Sequence, residues 1–217
     1  MTVIGVLPAS GKAQRLQGLP KFAFPISDTQ TLISWHVNQM LEVCDEVIIT
    51  TRQEWLPILQ SSGLSATVLV REPSTLSHTL SEIFDSRGGD FIFGMPDTAI
   101  IGNTSNPYGN LLESNGDVTL GLFNCTSELQ GKVGQVLISG NQILDVKDKY
   151  SDCTYPLMWG NIMFRDVARS IHLGSNTPST EIVNWISSGV RVEGVLNDGE
   201  YLDVGTFQGL KYLMGIL

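Results

Sequence analysis

Long apolar runs are missing from this sequence: no stretch approaches the ~18 consecutive apolar residues that a membrane-spanning helix requires. Cysteine is scarce. The three residues Cys44, Cys125 and Cys153 are odd in number and far apart. That spacing excludes a disulfide framework and a zinc pattern, and points to a reducing, cytoplasmic setting with the thiols as packing groups. Histidine is equally rare. His36, His78 and His172 have no cysteines or suitably spaced carboxylates near them, so core or surface roles are expected rather than ligation. Positive charge is in deficit, with 13 basic against 22 acidic residues and a net charge of −9, which argues against nucleic acid or an anionic membrane as partner. The opening residues carry no basic segment ahead of their apolar run, so residues 2–7 read as a first strand rather than a signal peptide. Two common phosphate-binding motifs are also absent. Five residues separate Gly5 from Gly11 where a Walker A loop has four, Ala13 follows Lys12 where that loop needs Ser or Thr, and no G-x-G-x-x-G occurs.

What is present is an ordinary globular balance, 42% apolar and 16% charged over 217 residues, enough for one core and short of a second full domain. Short apolar runs alternate with amphipathic stretches. Strands are expected at 2–7, 46–51, 66–70, 90–94 and 118–123, with helices at 31–43, 55–61, 76–85 and 108–113 between them. The runs Val47-Ile48-Ile49 and Phe91-Ile92-Phe93 do not alternate with polar residues, as expected of strands covered on both faces. Beyond residue 118 the strands crowd together. Segments 134–138 and 142–146 flank Ser139-Gly140-Asn141, a hairpin turn, and strands at 158–164 and 190–195 follow, with helices at 165–171, 180–187 and 206–213. The pattern predicts a single-domain α/β protein, a Rossmann-like three-layer sandwich whose central sheet is mostly parallel with antiparallel additions in the C-terminal half. A ligand crevice is expected at the carboxyl ends of the parallel strands.

Charge is distributed unevenly. Residues 1–27 hold Lys12, Arg15 and Lys21 and no acid at all, a basic island in an acidic chain. The loop after the first strand reads Leu7-Pro8-Ala9-Ser10-Gly11-Lys12-Ala13-Gln14-Arg15-Leu16, with Pro20-Lys21 close behind. Small residues at 9, 10, 11 and 13 let backbone N–H groups approach a phosphate chain, and Arg15 and Lys21 can neutralise charge that builds up as a phosphoryl bond breaks. Two aspartates lie far apart in sequence but at similar places in the pattern. Asp97 follows the buried run through Met95-Pro96, and Asp203 stands in Glu200-Tyr201-Leu202-Asp203-Val204-Gly205-Thr206, ahead of the last helix. Mg²⁺ takes hard oxygen ligands, commonly one or two carboxylates plus substrate phosphates. Each aspartate alone could equally start a turn or cap a helix.

Taken together these segments resemble the nucleotidylyltransferases, the sugar-1-phosphate nucleotidylyltransferases among them. The signature small-small-Gly-x-Gly-x-Arg, spacer, Pro-Lys is similar to residues 9–21, with Ala13 where the second glycine is usual. Asp203-Val204-Gly205-Thr206 resembles the family's Asp-x-Gly-Thr, and Asp97 its aspartate after the central strand. The likeness implies a nucleotide-binding half over 1–117 and an acceptor-binding half over 118–217. It implies Mg²⁺ on Asp97 and Asp203, Arg15 and Lys21 as catalytic cations, and a nucleotide bound by Pro8, Ala9, Ser10, Gly11, Lys12, Thr75 and Pro96. Thr75 replaces a glycine usual in the turn against the base. Gly134, Lys149 and Asn161 correspond to acceptor contacts; Tyr150 replaces the proline after Lys149, and Lys147 is close enough to serve instead.

The reaction so implied is Mg²⁺-dependent nucleotidyl transfer from a nucleoside triphosphate to a sugar 1-phosphate. The partners are those two substrates, with no nucleic acid and no membrane, and self-association is left open. A non-sugar phosphate acceptor and a catalytically degenerate nucleotide-binding module stay open as alternatives. A glycosyltransferase is disfavoured, because Pro96-Asp97-Thr98 lacks the second aspartate of Asp-x-Asp.

Overall fold

The protein is described by a computed structural model covering residues 1–12, 17–71, 76–166, 168, 177–205 and 207–216. Eleven strands and five α-helices alternate along the described chain. They run β1 (Val3–Ala9), α1 (Leu32–Leu41), β2 (Glu46–Thr51), α2 (Leu56–Ser61), β3 (Thr67–Val70), α3 (Leu76–Ser86), β4 (Asp90–Phe93) and β5 (Thr98–Ile101). There follow β6 (Val118–Asn124), β7 (Gly134–Ser139), β8 (Gln142–Asp148), β9 (Leu157–Phe164), α4 (Pro178–Ser187), β10 (Val192–Leu196), β11 (Glu200–Asp203) and α5 (Phe207–Ile216).

Nine strands form one sheet in the order β3-β2-β1-β4-β9-β6-β10-β8-β7, with β7 also pairing β9. The strands from β3 to β4 are parallel, as their continuous apolar runs imply. Parallel pairing stops there. Strand β9 is antiparallel to β4, β6 and β7, and only β6–β10 is parallel beyond it. The sheet is therefore mixed rather than mostly parallel, because the chain after residue 118 returns by hairpins that reverse direction. Strands β9, β6, β10, β8 and β7 close into a small ring. Where Gly121 and Leu122 of β6 oppose Asn161 and Trp159 of β9, Gly160 is left unpaired, and a bulge of this kind curls a sheet.

Side-chain alternation along the central strands sorts the core. Leu7, Val47, Ile49 and Ile92 pack with Val37 and Met40 of α1 and Leu59 of α2. Val6, Ile48, Phe91 and Phe93 face the other way, against Leu80 and Phe84 of α3 and Trp185 of α4. Each of these fully buried side chains contributes about 1.5–3 kcal/mol. Helix α1 starts with a reciprocal cap: Thr31 Oγ1 accepts from the Ser34 N–H and Ser34 Oγ from the Thr31 N–H.

Most expected elements are found, with ends shifted by a few residues. The expected helix at 108–113 is only a short 3-10 turn, Asn110–Glu113. The expected helix at 165–171 lies largely outside the described residues. Two strands were not anticipated, β5 and β11, which pair antiparallel in a separate two-stranded sheet. Ala99 packs there with Leu32, Val204 and Leu213, and Ile100 and Tyr201 with Phe123 and Met158. Among the described residues no helix is long and apolar enough to cross a membrane.

Candidate active site

The small β5–β11 sheet brings the two aspartates together. Its register sets Asp203 opposite Thr98, the neighbour of Asp97. The Val204 N–H then donates to the Asp97 carbonyl at 3.1 Å. Their side chains converge on Gly205. A Cβ placed on that glycine would lie 2.6 Å from Asp203 Oδ1 and 3.5 Å from Asp97 Oδ2, so the two oxygens are no further apart than those distances combined. The same Cβ would be 2.8 Å from Lys21 Nζ. Two carboxylates and one ammonium thus share one small space across more than a hundred positions of sequence.

Lys21 opens a 3-10 turn, Lys21–Ala23, tied by the Ala23 N–H to the Pro20 carbonyl at 2.9 Å. Phe22 is buried against Trp55, ring centroids 5.7 Å apart, which anchors the turn and directs Lys21 inward. The Lys21 ammonium pairs with Asp97 Oδ2 at 3.1 Å, both side chains about a quarter to a third exposed. Pro8 and Ala9 end β1 opposite Thr50 and Thr51. Pro8 is tolerated because β4 has already ended beside it, leaving no ladder bond for the missing N–H to make on that side. Ser10 is half-buried and Lys12 exposed in the loop that follows. Ala9, Gly11, Lys21, Pro96 and Asp97 enclose a hollow of about 50 Å³. Arg15 and Thr75 lie outside the described residues.

A cavity of about 310 Å³ opens from this cluster, lined on one side by Lys21, Asp97 and Asp203 and on the other by Gly134, Asp148 and Lys149. Gly134 starts β7 where only hydrogen fits: a Cβ would collide with the Trp159 indole nitrogen and lie 2.7 Å from Ser179 Oγ. The Trp159 Nε1–H donates to Ser179 Oγ at 3.0 Å, and Ser179 Oγ in turn donates to Asp148 Oδ1 at 3.4 Å. Lys149 adopts φ +53°, uncommon for a residue with a side chain, and is exposed at the cavity wall. Lys147, its rival, pairs with Asp145 at 3.2 Å and is not part of that wall.

Asn161 stands apart from these groups. It is buried, its Nδ2 donates to the Pro107 carbonyl at 2.9 Å, and its Oδ1 lies against Gly121, away from the cavity lining. The alternation of β9 turns Trp159 toward the cavity, but the extra Gly160 in the bulge breaks the period, so Asn161 ends in the core beside β6. Lys132, Thr98, Ser179 and Tyr201 line the cavity without having been singled out from the sequence. Lys132 carried a signal, since it precedes the quoted Val133-Gly134. Burial, followed by the carboxylates of Asp97 and Asp203, pushes the Tyr201 phenol well up, so it stays protonated beside them.

Beneath Asp97 lies a buried polar chain. His36 of α1 bonds the Thr98 carbonyl through Nε2 at 2.9 Å and the Tyr108 hydroxyl through Nδ1 at 2.5 Å. A carbonyl has no proton to give, so Nε2 carries the hydrogen and Nδ1 accepts from Tyr108. Gly94 admits that hydroxyl, which a Cβ would strike. Burial pushes the His36 imidazole down to about 4, against the opposing pull of the Thr98 carbonyl and Asp97. Between the ordinary value of 6.5 and about 4 the unfolded chain takes up a proton that the folded chain refuses. Stability should therefore fall as pH drops through that window and level off below it, after a loss of about 3 kcal/mol. Urea unfolding across this range, with the His36→Gln variant subtracted, measures it; equal pH slopes in the two proteins would remove the assignment.

The thiols are inert packing groups. None is paired, and burial pushes Cys44 up to about 12. Among the described residues no group of three or more His, Cys, Asp and Glu side chains is placed to hold a metal. The donor set at Asp97 and Asp203 is instead two hard carboxylates beside open space, which fits Mg²⁺ and its need for water and phosphate ligands, and does not fit zinc or copper.

No family model matches this chain, and no curated protein sequence matches it. Solved structures do. The chain has the fold of the sugar-phosphate nucleotidylyltransferases. It is similar to a protein described as a glucose-1-phosphate thymidylyltransferase from Bacillus anthracis, at 14% identity and TM-score 0.81, over 99% of this chain and 95% of that one. A UDP-glucose pyrophosphorylase complexed with UDP-glucose is similar at 18% identity and TM-score 0.80, over 100% and 98%. The inositol-1-phosphate CTP transferase from T. maritima is similar at 14% and TM-score 0.74, over 99% and 95%.

Proposed function

We propose that this protein transfers a nucleotidyl group from a nucleoside triphosphate to a sugar 1-phosphate, with Mg²⁺ held by Asp97 and Asp203, and releases pyrophosphate. The observation that carries this reading is the convergence of both carboxylates and the Lys21 ammonium on Gly205 at the mouth of the cavity. The bound Mg²⁺ would supply charge neutralisation at the phosphates. A phosphate oxygen of the acceptor attacks the α-phosphorus in line. The bond from that phosphorus to the bridging oxygen breaks, and the electron pair leaves with pyrophosphate. The acceptor phosphate is already ionised at neutral pH, so no general base is needed; in keeping with this, no histidine lines the cavity among the described residues. Positioning and charge supply the rate. Lys21 holds the α-phosphate, Arg15 with Lys12 steadies the departing pyrophosphate, and the backbone of Pro8 to Gly11 cradles the triphosphate. Lys149 binds the acceptor phosphate, with Gly134 against the acceptor itself. A cytoplasmic setting suits these substrates.

The inositol-1-phosphate enzyme among the similar structures favours a second version, a polyol phosphate as acceptor. Incubating the protein with Mg²⁺, each nucleoside triphosphate, and a panel of sugar and polyol phosphates tests both. Pyrophosphate release with one acceptor class is expected, and release with none across the panel would remove the transferase reading. Within the active pair, Lys149→Met should raise acceptor KM about 10-fold, the loss of one charge-assisted contact worth about 1.4 kcal/mol. Lys147→Met should leave KM unchanged; the reverse ranking would exchange the two roles.

A further inference from the structure

A second cavity, of about 430 Å³ and so larger than the first, lies on the far side of a wall formed by Lys132, Tyr201 and Asp203. The transfer reaction as proposed leaves it without a task. Its outer walls are the segment between β6 and β7, strand β11 and the first turns of α5. The β6–β7 segment is a fixed turn, with the Leu129 and Gln130 N–H groups donating to the Thr126 carbonyl at 3.0 and 3.1 Å, and the Gly131 N–H to Gln135 Oε1 at 3.1 Å. It presents Ser127, Glu128 and Leu129 to the space, opposite Glu200 and Tyr212. Tyr212 reaches Glu200 Oε1 at 3.5 Å, which ties α5 loosely to β11.

The chemistry of this wall differs from that of the first cavity. Glu128, Glu200 and Asp203 outnumber Lys132, so a second phosphate or a nucleotide would meet net repulsion. Lys132 at the entrance opposes a cation in turn. Carboxylates and hydroxyls that can accept and donate, set among the apolar faces of Leu129, Tyr201 and Tyr212, suit an uncharged group rich in hydroxyls, whose O–H groups need acceptors and whose C–H faces need apolar cover. We propose that this cavity receives the hydroxyl-rich part of an acceptor longer than a monosaccharide, so that the acceptor is the phosphate of a disaccharide or an extended polyol. The orientation rests on the transfer reading above, since it takes the phosphate end to lie at Asp203.

Calorimetry on the full chain tests it with glucose 1-phosphate and maltose 1-phosphate as probes. Maltose 1-phosphate should bind at least 10-fold more tightly. Glu200→Gln and Glu128→Gln should each erase most of that advantage while leaving glucose 1-phosphate affinity unchanged. Equal affinity for the two probes in the unaltered protein overturns the proposal, as does an advantage that survives both substitutions. So does tighter binding of phosphoethanolamine that Glu200→Gln abolishes, which would make the cavity an amine site. Pyrophosphate release, measured alongside, separates the two ideas. A binding advantage without release in any mixture removes the transfer reading and leaves the cavity assigned; release from glucose 1-phosphate with no advantage for the disaccharide removes the cavity assignment alone.

Discussion

Asp97→Asn should lower kcat by about 10³-fold, the scale on which removing a positioned electrostatic group acts, and leave folding intact. The amide keeps the shape of the carboxylate and the turn that Thr98 makes to the Met95 carbonyl at 2.8 Å. The only interaction lost in the folded protein alone is the Lys21 pair, which is partly exposed and therefore worth about 0–1 kcal/mol. The variant should accordingly unfold within about 1 kcal/mol of the unaltered protein while its turnover disappears. Steady-state pyrophosphate release and urea unfolding, run on the same preparation, read both. Retention of more than a tenth of the activity would mean that Asp97 plays no part at the metal.

Gly205→Ala makes the opposite demand on the same space. The new methyl group would sit 2.6 Å from Asp203 Oδ1 and 2.8 Å from Lys21 Nζ. Both are the ends of flexible side chains, so they can move aside and the fold can survive. What cannot survive is their alignment. A displacement on the order of 1 Å at a reaction centre costs about 10²-fold, and kcat should fall by that much. The backbone at Gly205 is not in the left-handed region, so alanine there should raise stability by up to about 1 kcal/mol through the unfolded chain. A variant that is both more stable and less active is the expected signature. Unchanged activity would place the reaction elsewhere.

The sequence carried the central parallel strands and helices clearly, because runs such as Val47-Ile48-Ile49 and the capped start of α1 are locally specified. It carried Asp97, Asp203, Lys21 and Gly134 as candidates through their neighbours in short motifs. What it did not carry was the reason they meet. Strands β5 and β11 have four residues each, too short for a period to register, and their pairing spans about half the chain. Tyr201 was hidden for the same reason: its place at the cavity follows from β11 packing against Phe123 and Met158. Asn161 shows the converse. Its place in β9 was legible, but the bulge at Gly160 decides which way its side chain faces, and a bulge leaves no mark in a hydrophobic pattern. The closed ring of strands was invisible too, since β9 pairs with three partners only once the sheet has curled.

The central claim is that Asp97 and Asp203 jointly hold one divalent ion. Mn²⁺, a spectroscopic substitute for Mg²⁺, can be titrated into the protein with a non-hydrolysable nucleoside triphosphate analogue and followed by electron paramagnetic resonance. The account predicts one tight ion per chain, weakened by at least 10-fold in Asp97→Asn and equally in Asp203→Asn, with no further loss in the double variant. An ion held with unchanged affinity by either single variant would contradict it.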